Sequence, residues 1–288
     1  MKICVIMPAA GASARYQSAG AVRHKLDEDL GGKPLIQRTV ETFTKFDDDD
    51  AMIASIVVAG PHDEEDFAAF SDRHLDRLGL LGAKLVRGGK TYRWETVAAA
   101  LAHVPGDCTH IAVHDAARPA VSFALLSRVF RAARTHSAVV PAVACSDTVK
   151  RAKETGETFG GNDAAAAILG ESTASKAPLR VVSETLDRTG LVLVQTPQVF
   201  RSELLKKAYE PMMKSEAGTS ADQLVHKFAH KFAHITDDAS VVEAFGERVV
   251  VVEGESTNIK VTLPADLTIV RAVMGFREAD GKTAMRRF

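Results

Sequence analysis

Residues 3–25 combine an apolar run, a chain of small side chains and two cations. Ile3-Cys4-Val5-Ile6-Met7 stops at Pro8, Ala9-Ala10-Gly11-Ala12-Ser13-Ala14-Arg15 follows, and Lys25 stands ten positions beyond Arg15. Small residues let a backbone pass close to a ligand, because no side-chain bulk intervenes. Successive amide N–H groups in such a turn can form a concave nest for an anion. With the charges of Arg15 and Lys25, the loop has the chemistry of a triphosphate site. The other reading of the same residues is a tight strand-to-helix turn.

Two familiar phosphate loops do not fit. A Rossmann dinucleotide turn needs the spacing G-x-G-x-x-G, and Gly11 is the only glycine between Pro8 and Arg15; a Walker A loop needs a closing Gly-Lys-Ser/Thr, which is absent. A nucleotidyltransferase loop, small residues and then cations, remains. Downstream, His114-Asp115-Ala116-Ala117-Arg118-Pro119 follows an apolar run. A carboxylate at the end of a strand can hold a divalent cation or a ribose hydroxyl. Alternatively, Asp115 and Arg118 form a structural pair that fixes the turn. In Asn258-Ile259-Lys260-Val261-Thr262, Lys260 stands between apolar neighbours and is either a site cation or a solvent-pointing lysine on an edge strand.

The elements that must position these residues alternate in type. Strands are expected at 3–7, 53–59, 84–87, 110–114, 138–143, 191–195 and 248–252. Helices are expected at 34–46, 63–78, 91–103, 122–136, 202–214, 221–232, 239–245 and 264–275. Such alternation predicts βαβ units and an α/β fold, a Rossmann-like doubly wound, mostly parallel sheet. Ligands of such sheets lie at the carboxyl ends of the strands, here the loops that begin at Pro8, Gly88, Asp115 and Ala144. Residues 146–188 have few bulky apolar side chains and no clear buried face, which predicts an exposed insertion (146–190) in a single domain spanning 1–288.

Composition bounds the partners. Of the 288 residues, 46% are hydrophobic and 25% charged, as in an ordinary soluble globular protein. A net charge of −1 supplies no global field for nucleic acid, so any polyanion site must be local. No apolar run reaches the length of a membrane span, and Met1-Lys2 leads directly into a strand without a signal-peptide pattern. Three widely spaced cysteines predict a reducing, cytoplasmic setting without disulfides. The acidic run 47–50 reads as a solvated turn. The repeat His226-Lys227-Phe228-Ala229, His230-Lys231-Phe232-Ala233 places histidines at helical spacing. It reads as a solvated His/Lys face opposite a Phe face, with zinc as the alternative. Residues 277–288 form a basic tail.

Several motifs occur in one order: Pro8-Ala9-Ala10-Gly11 with Arg15 and Lys25, His114 to Pro119, Ser146-Asp147-Thr148-Val149-Lys150-Arg151, Asp187-Arg188, Thr196-Pro197-Gln198, Thr236-Asp237-Asp238-Ala239-Ser240 and Asn258 to Thr262. Together they closely resemble the 2-C-methyl-D-erythritol 4-phosphate cytidylyltransferases of the non-mevalonate isoprenoid pathway, from about residue 2 to about residue 275. The resemblance implies a sheet of the nucleotide-diphospho-sugar transferase type and transfer of CMP from CTP to the phosphate of methylerythritol phosphate. It implies that Arg15 and Lys25 stabilise the transition state at the α-phosphate, with Arg188 and Lys260 positioning the acceptor phosphate. It further implies that Ala9, Ala10, Gly11, Gly89, Thr96, Asp115 and Ala116 bind CTP. Asp115 would hold Mg2+ or another divalent cation. Thr148, Arg188, Thr236 and Lys260 would hold the acceptor, and the insertion would be an extended dimerisation arm of a homodimer.

The chain departs from the family pattern at identifiable places. Ser13 stands where the family usually has a second Gly, the stretch 17–24 is longer, Leu26-Asp27-Glu28 replaces a Gln-Tyr-Leu type segment, and an extra residue lies near Arg93. The arm is also longer than usual. A sister enzyme acting on ribitol phosphate and a non-catalytic nucleotide-binding module are the alternatives. Ala116-Ala117 favours methylerythritol phosphate over ribitol phosphate, and the joint presence of Arg15, Lys25, Arg188 and Lys260 favours catalysis. The length predicts no fused cyclodiphosphate synthase after Gly275.

Overall fold

Alternate side chains of the first strand, β1 (Lys2–Pro8), enter two different cores. Ile3, Val5 and Met7 belong to one buried cluster and Cys4 and Ile6 to another. A strand buried on both faces reads as a continuous apolar run and needs a helical layer on each side. The computed structural model has both layers; it describes residues 1–159, 177–213 and 235–276. The expected helix at 221–232, the His-Lys-Phe-Ala repeat and the tail at 277–288 lie outside the described residues.

The remaining strands are β2 (Met52–Gly60), β3 (Ala83–Arg87), β4 (His110–Val113), β5 (Ala138–Ala144), β6 (Lys150–Phe159), β7 (Ala177–Thr185), β8 (Val192–Val194), β9 (Gln198–Arg201) and β10 (Val250–Glu253). The helices are α1 (Ala14–Ser18), α2 (Leu35–Thr44), α3 (Glu64–Gly79), α4 (Arg93–Leu101), α5 (Phe123–Ala133), α6 (Ser202–Met213), α7 (Asp238–Phe245) and α8 (Pro264–Val273). The chain divides into two compact units, one from Met1–Val143 with the described residues from Val194 onward, the other Ala144–Leu193.

In the first unit the strands run in the order β10-β5-β9-β4-β1-β2-β3. The pairs β1–β2, β1–β4, β2–β3 and β5–β10 are parallel, whereas β9 is antiparallel to both β4 and β5. Apolar stripes of α2, α5 and α8, such as Val40, Val129 and Val270, cover one face. Val97 of α4, Leu205 of α6 and Val242 of α7 cover the other. The doubly wound, mostly parallel sheet is therefore as expected. The strand expected at 191–195 shortens to β8, and β9, at the centre of the sheet, was not expected. It is four residues long and begins directly after Pro197, too short for a periodic signal.

Antiparallel β9 helps to build the site. Its pairing of Gln198 with Val113 brings the chain before its start, Thr196-Pro197, beside the carboxyl end of β4. The parallel strands β1, β3, β4 and β10 deliver the loops after Pro8, Arg87, Val113 and Glu253 to that same sheet edge. The β3 loop is tight: a Cβ on Gly88 would stand 2.4 Å from the Gly60 carbonyl oxygen, and one on Gly89 2.1 Å from Glu95 Cβ.

In the second unit β6 and β7 form an antiparallel two-stranded sheet, with register irregularities between Arg151 and Ala152 and between Glu154 and Thr158. Lys150 Nζ donates to Thr185 Oγ1 at 2.8 Å, and Arg151 pairs with Glu184 at 3.1 Å. No strand was expected between 146 and 188, and this sheet supplies two. Both strands are exposed along most of their length, so no buried face imprints a period of two on the sequence.

Gly88→Ala should lower the free energy of unfolding by about 1–3 kcal/mol through overpacking against backbone. Urea denaturation checks this; an unchanged midpoint would show that the β3 loop has room to move.

Candidate active site

Asp115 is placed by β4 at the sheet edge, and it is 9% exposed. Burial disfavours its charge, yet three cations from separate elements offset that cost. Lys260 Nζ lies 3.0 Å and Arg118 Nε 3.1 Å from Oδ2, and Arg93 Nη2 lies 3.9 Å from Oδ1. Burial alone would raise the Asp115 pKa; Lys260, Arg93 and Arg118 outweigh it and hold the carboxyl well below the usual range. Its N–H donates to Thr196 Oγ1 at 3.0 Å. That hydroxyl donates to His114 Nδ1 at 3.2 Å, and His114 Nε2–H donates to the Arg118 carbonyl at 3.1 Å. Burial pushes His114 down to about 4, so the ring is neutral with both nitrogens engaged, and it is no candidate for a general base.

Lys260 reaches Asp115 because its segment is fastened on both sides. Asn258 Nδ2 donates to the Thr196 carbonyl at 2.8 Å, Arg118 Nη1 donates to the Asn258 carbonyl at 2.6 Å, and Val261 N–H donates to the Ala117 carbonyl at 2.9 Å. This stretch is not a strand, and its lysine points at a carboxylate with only 38% of the side chain exposed. The Asp115–Arg118 pair also exists, so the turn-fixing reading of that motif and the site reading describe one cluster.

The small-residue loop forms another wall. Ala9 N–H donates to the Ala59 carbonyl at 2.7 Å, and a Cβ on Gly11 would meet nothing within 4 Å, leaving space for a ligand. Ser13 adopts φ 56° and ψ 26°, the left-handed region, where a glycine carries no steric penalty. A glycine, which the family resemblance leads one to expect there, would adopt that conformation without cost. Ser13 Oγ is buried with no hydrogen-bond partner. Tyr16 and Leu26, 2% and 3% exposed, anchor the stretch in the core, each next to one of the predicted cations. Lys25 is half-buried. Burial, Lys260 and Arg15 pull its pKa down, against Asp115.

Glu95 and Thr96 close the β3 loop. Glu95 Oε2 accepts from the N–H groups of Thr91 at 2.6 Å and Tyr92 at 3.0 Å, while Gly89 N–H donates to Thr96 Oγ1 at 3.2 Å. Ala9, Ala10, Gly11, Lys25, Gly89, Thr96, Asp115, Ala116 and Lys260 all line one open cavity of about 250 Å³ in the first unit. Arg15 does not line it. Thr236, also outside the cavity lining, is exposed just before α7, its N–H donating to Ser240 Oγ at 3.2 Å. Thr148 and Arg188 belong to the second unit, where both are exposed and Arg188 donates to the Ser146 carbonyl.

Arg93 was missed by the sequence reading. It lines the cavity, and its Nη1 lies 2.7 Å from Asp238 Oδ2, a fully buried carboxylate whose Oδ1 accepts from the Tyr209 hydroxyl at 2.6 Å. One signal was available: an arginine in the first turn of a helix opposes the preference for acidic residues there. Gln198 of β9 holds α7 in place, donating to Asp237 at 2.7 Å and accepting from Ala239 N–H at 2.9 Å.

A divalent cation fits this site in a limited way. Among the described residues no group of three or more His, Cys, Asp or Glu side chains comes together. Asp115 Oδ1, with Arg93 at 3.9 Å, is the less engaged of its two oxygens. Mg2+ is often held by one or two carboxylates plus substrate phosphates and water, and a lone carboxylate such as Asp115 is compatible with that habit. Arg93→Met should cost about 3–5 kcal/mol, because it strands the buried Asp238 charge. Calorimetry checks it; a midpoint within a degree of the parent would mean that Asp238 has another partner.

The model of the family 2-C-methyl-D-erythritol 4-phosphate cytidylyltransferase (IspD) matches residues 3–167 and 161–276. Among relatives, the enzyme of that name from Bacteroides thetaiotaomicron is 34% identical, covering 95% of this chain and 100% of its own. That from Bacteroides fragilis is 33% identical, covering 85% and 88%. The crystal structure of a 4-diphosphocytidyl-2C-methyl-D-erythritol synthase superimposes with a TM-score of 0.64 at 25% identity, covering 95% of this chain and 98% of that one. The Thermus thermophilus 2-C-methyl-D-erythritol 4-phosphate cytidylyltransferase superimposes with a TM-score of 0.61 at 26% identity, covering 96% and 100%. With its small-residue loop, its Asp115 cluster and its Lys260 segment, the chain belongs to the 2-C-methyl-D-erythritol 4-phosphate cytidylyltransferase family.

Proposed function

We propose that the chain transfers CMP from CTP to the phosphate of 2-C-methyl-D-erythritol 4-phosphate, giving 4-diphosphocytidyl-2-C-methyl-D-erythritol and pyrophosphate. The observation that carries this reading is the convergence of Lys25, Lys260 and Asp115 with the loops at 9–11 and 89–96 on one cavity. An acceptor phosphate oxygen attacks the α-phosphorus; a new P–O bond forms and the bond to the bridging oxygen of pyrophosphate breaks. A phosphate monoester has a second pKa of about 6 and is largely dianionic at pH 7, so no general base is required. The obstacle is the meeting of two polyanions. Lys25 and Arg15 offset charge at the α-phosphate, Lys260 and Arg188 orient the acceptor phosphate, and Thr148 and Thr236 help to hold the acceptor. Ala9, Ala10 and Gly11 offer their backbone to the triphosphate, Gly89 and Thr96 face the cytosine, and Asp115 and Ala116 face the ribose. Asp115 would hold Mg2+, which would supply charge neutralisation on the triphosphate.

Two further elements belong to this reading. The arm joins two copies in a homodimer, so that Thr148 and Arg188 act in a site shared between protomers. Val181 and Val182 of the arm are more than half exposed, the kind of apolar surface a partner covers. A cytoplasmic setting is supported by Cys4, Cys108 and Cys145, which are all unbridged.

Pyrophosphate release from CTP and Mg2+ should be faster with methylerythritol phosphate than with ribitol phosphate. Release with neither acceptor defeats the reading, and preference for ribitol phosphate redirects it. Lys25→Gln should lower kcat by about 10²–10³-fold. Its thermal midpoint should hold or rise, because burial and like charges already disfavour that ammonium in the folded chain. Full turnover in this variant would assign the transition-state charge to another group.

A further inference from the structure

Residues 17–23 are largely exposed, Val22 at 98%, yet the lysine that follows them is half-buried in a cavity wall. Two side-chain anchors hold the turn that carries it. His24 precedes the short 3-10 turn Lys25–Asp27: its Nδ1 accepts from Leu26 N–H at 3.3 Å, and its Nε2 lies 2.9 Å from the Gly11 carbonyl oxygen. The first contact needs a lone pair on Nδ1, so the ring is the neutral tautomer whose Nε2–H donates to Gly11. Burial lowers the His24 pKa and Lys25 and Arg73 reinforce this, while the Gly11 carbonyl and Asp27 oppose it. One ring thus ties the small-residue loop to the lysine turn. At the other end Asp27 Oδ1 lies 2.7 Å from His74 Nε2, and Oδ2 lies 3.2 Å from Arg73 Nε. His74 is 2% exposed on α3, so this anchor reaches the buried face of that helix.

We propose that His24 and the Asp27–His74 pair are positioning residues for Lys25, fixing its turn against both the Gly11 loop and α3 so that the ammonium meets the α-phosphate after a long exposed stretch. None of the three touches a reacting atom; they act through the lysine. The proposal rests on the cytidylyl-transfer reading above. Misplacement of a catalytic group by about 1 Å can cost about 10²-fold in rate, which gives such anchors a kinetic consequence.

The test compares His24→Ala, His24→Gln and Asp27→Ala with the parent chain. Steady-state pyrophosphate release gives kcat and KM for CTP, and backbone hydrogen exchange of residues 24–28 is measured on the same proteins. His24→Ala and Asp27→Ala should each lower kcat by about tenfold or more with little change in KM, and exchange at 24–28 should speed up. His24→Gln keeps a donor near the Nε2 position and should recover most of the lost kcat. Unchanged exchange in both alanine variants overturns the proposal, as does faster exchange with unchanged kcat. If the parent chain releases no pyrophosphate with either acceptor, the cytidylyl-transfer reading falls, and unchanged exchange would still overturn the anchoring by itself.

Discussion

A buried carboxylate at the end of β4 is the interaction on which the site depends. Asp115 could not remain charged at 9% exposure without Lys260, Arg118 and Arg93 around it. Each cation comes from a different part of the chain, so one side chain draws the 258–262 segment, the β4 loop and the start of α4 to a single point. Lys25, brought to the same cavity, faces like charges there and is pulled down by burial, Lys260 and Arg15. The cluster is stable enough to form and remains short of negative charge. On the proposed reading a triphosphate would supply what is missing, and the same shortage would favour departure of pyrophosphate.

The sheet topology is what permits the cluster. A purely parallel sheet would bring only loops that follow strands to this edge. Antiparallel β9 adds the approach to a strand, and Thr196 there accepts from Asp115 N–H while its hydroxyl engages His114. Gln198, the first residue of β9, then fixes the start of α7, whose Asp238 lies against Arg93. Four residues of reversed strand therefore connect the carboxylate to two of the elements that serve it.

Much of this was legible in the sequence, for physical reasons. Doubly buried strands leave unbroken apolar runs, so β1, β2, β4 and β5 could be read. Amphipathic helices such as α2 and α5 leave spaced apolar positions. The small-residue loop and Lys25, Asp115 and Lys260 were visible because small side chains and isolated charges are unusual beside apolar strands. Arg93 was not, since its partner Asp238 lies far away in sequence and nothing local pairs them. The β6–β7 sheet left no periodic signal because its strands have no buried face. Ser13 looked like a departure from a glycine position; its φ of 56° shows that the backbone requirement persists and that a serine bears it. Arg15, read in the sequence as a site cation, stands outside the cavity wall.

If the Asp115 cavity is the CTP site, the α-phosphate must come to rest against Lys25. Diffraction from crystals of the chain grown with CTP and Mg2+ decides this. The triphosphate is expected along residues 9–11, the cytosine at Gly89 and Thr96, and an α-phosphate oxygen within hydrogen-bond reach of Lys25 Nζ. A nucleotide seated elsewhere, or an α-phosphate in this cavity without contact to Lys25, would contradict it.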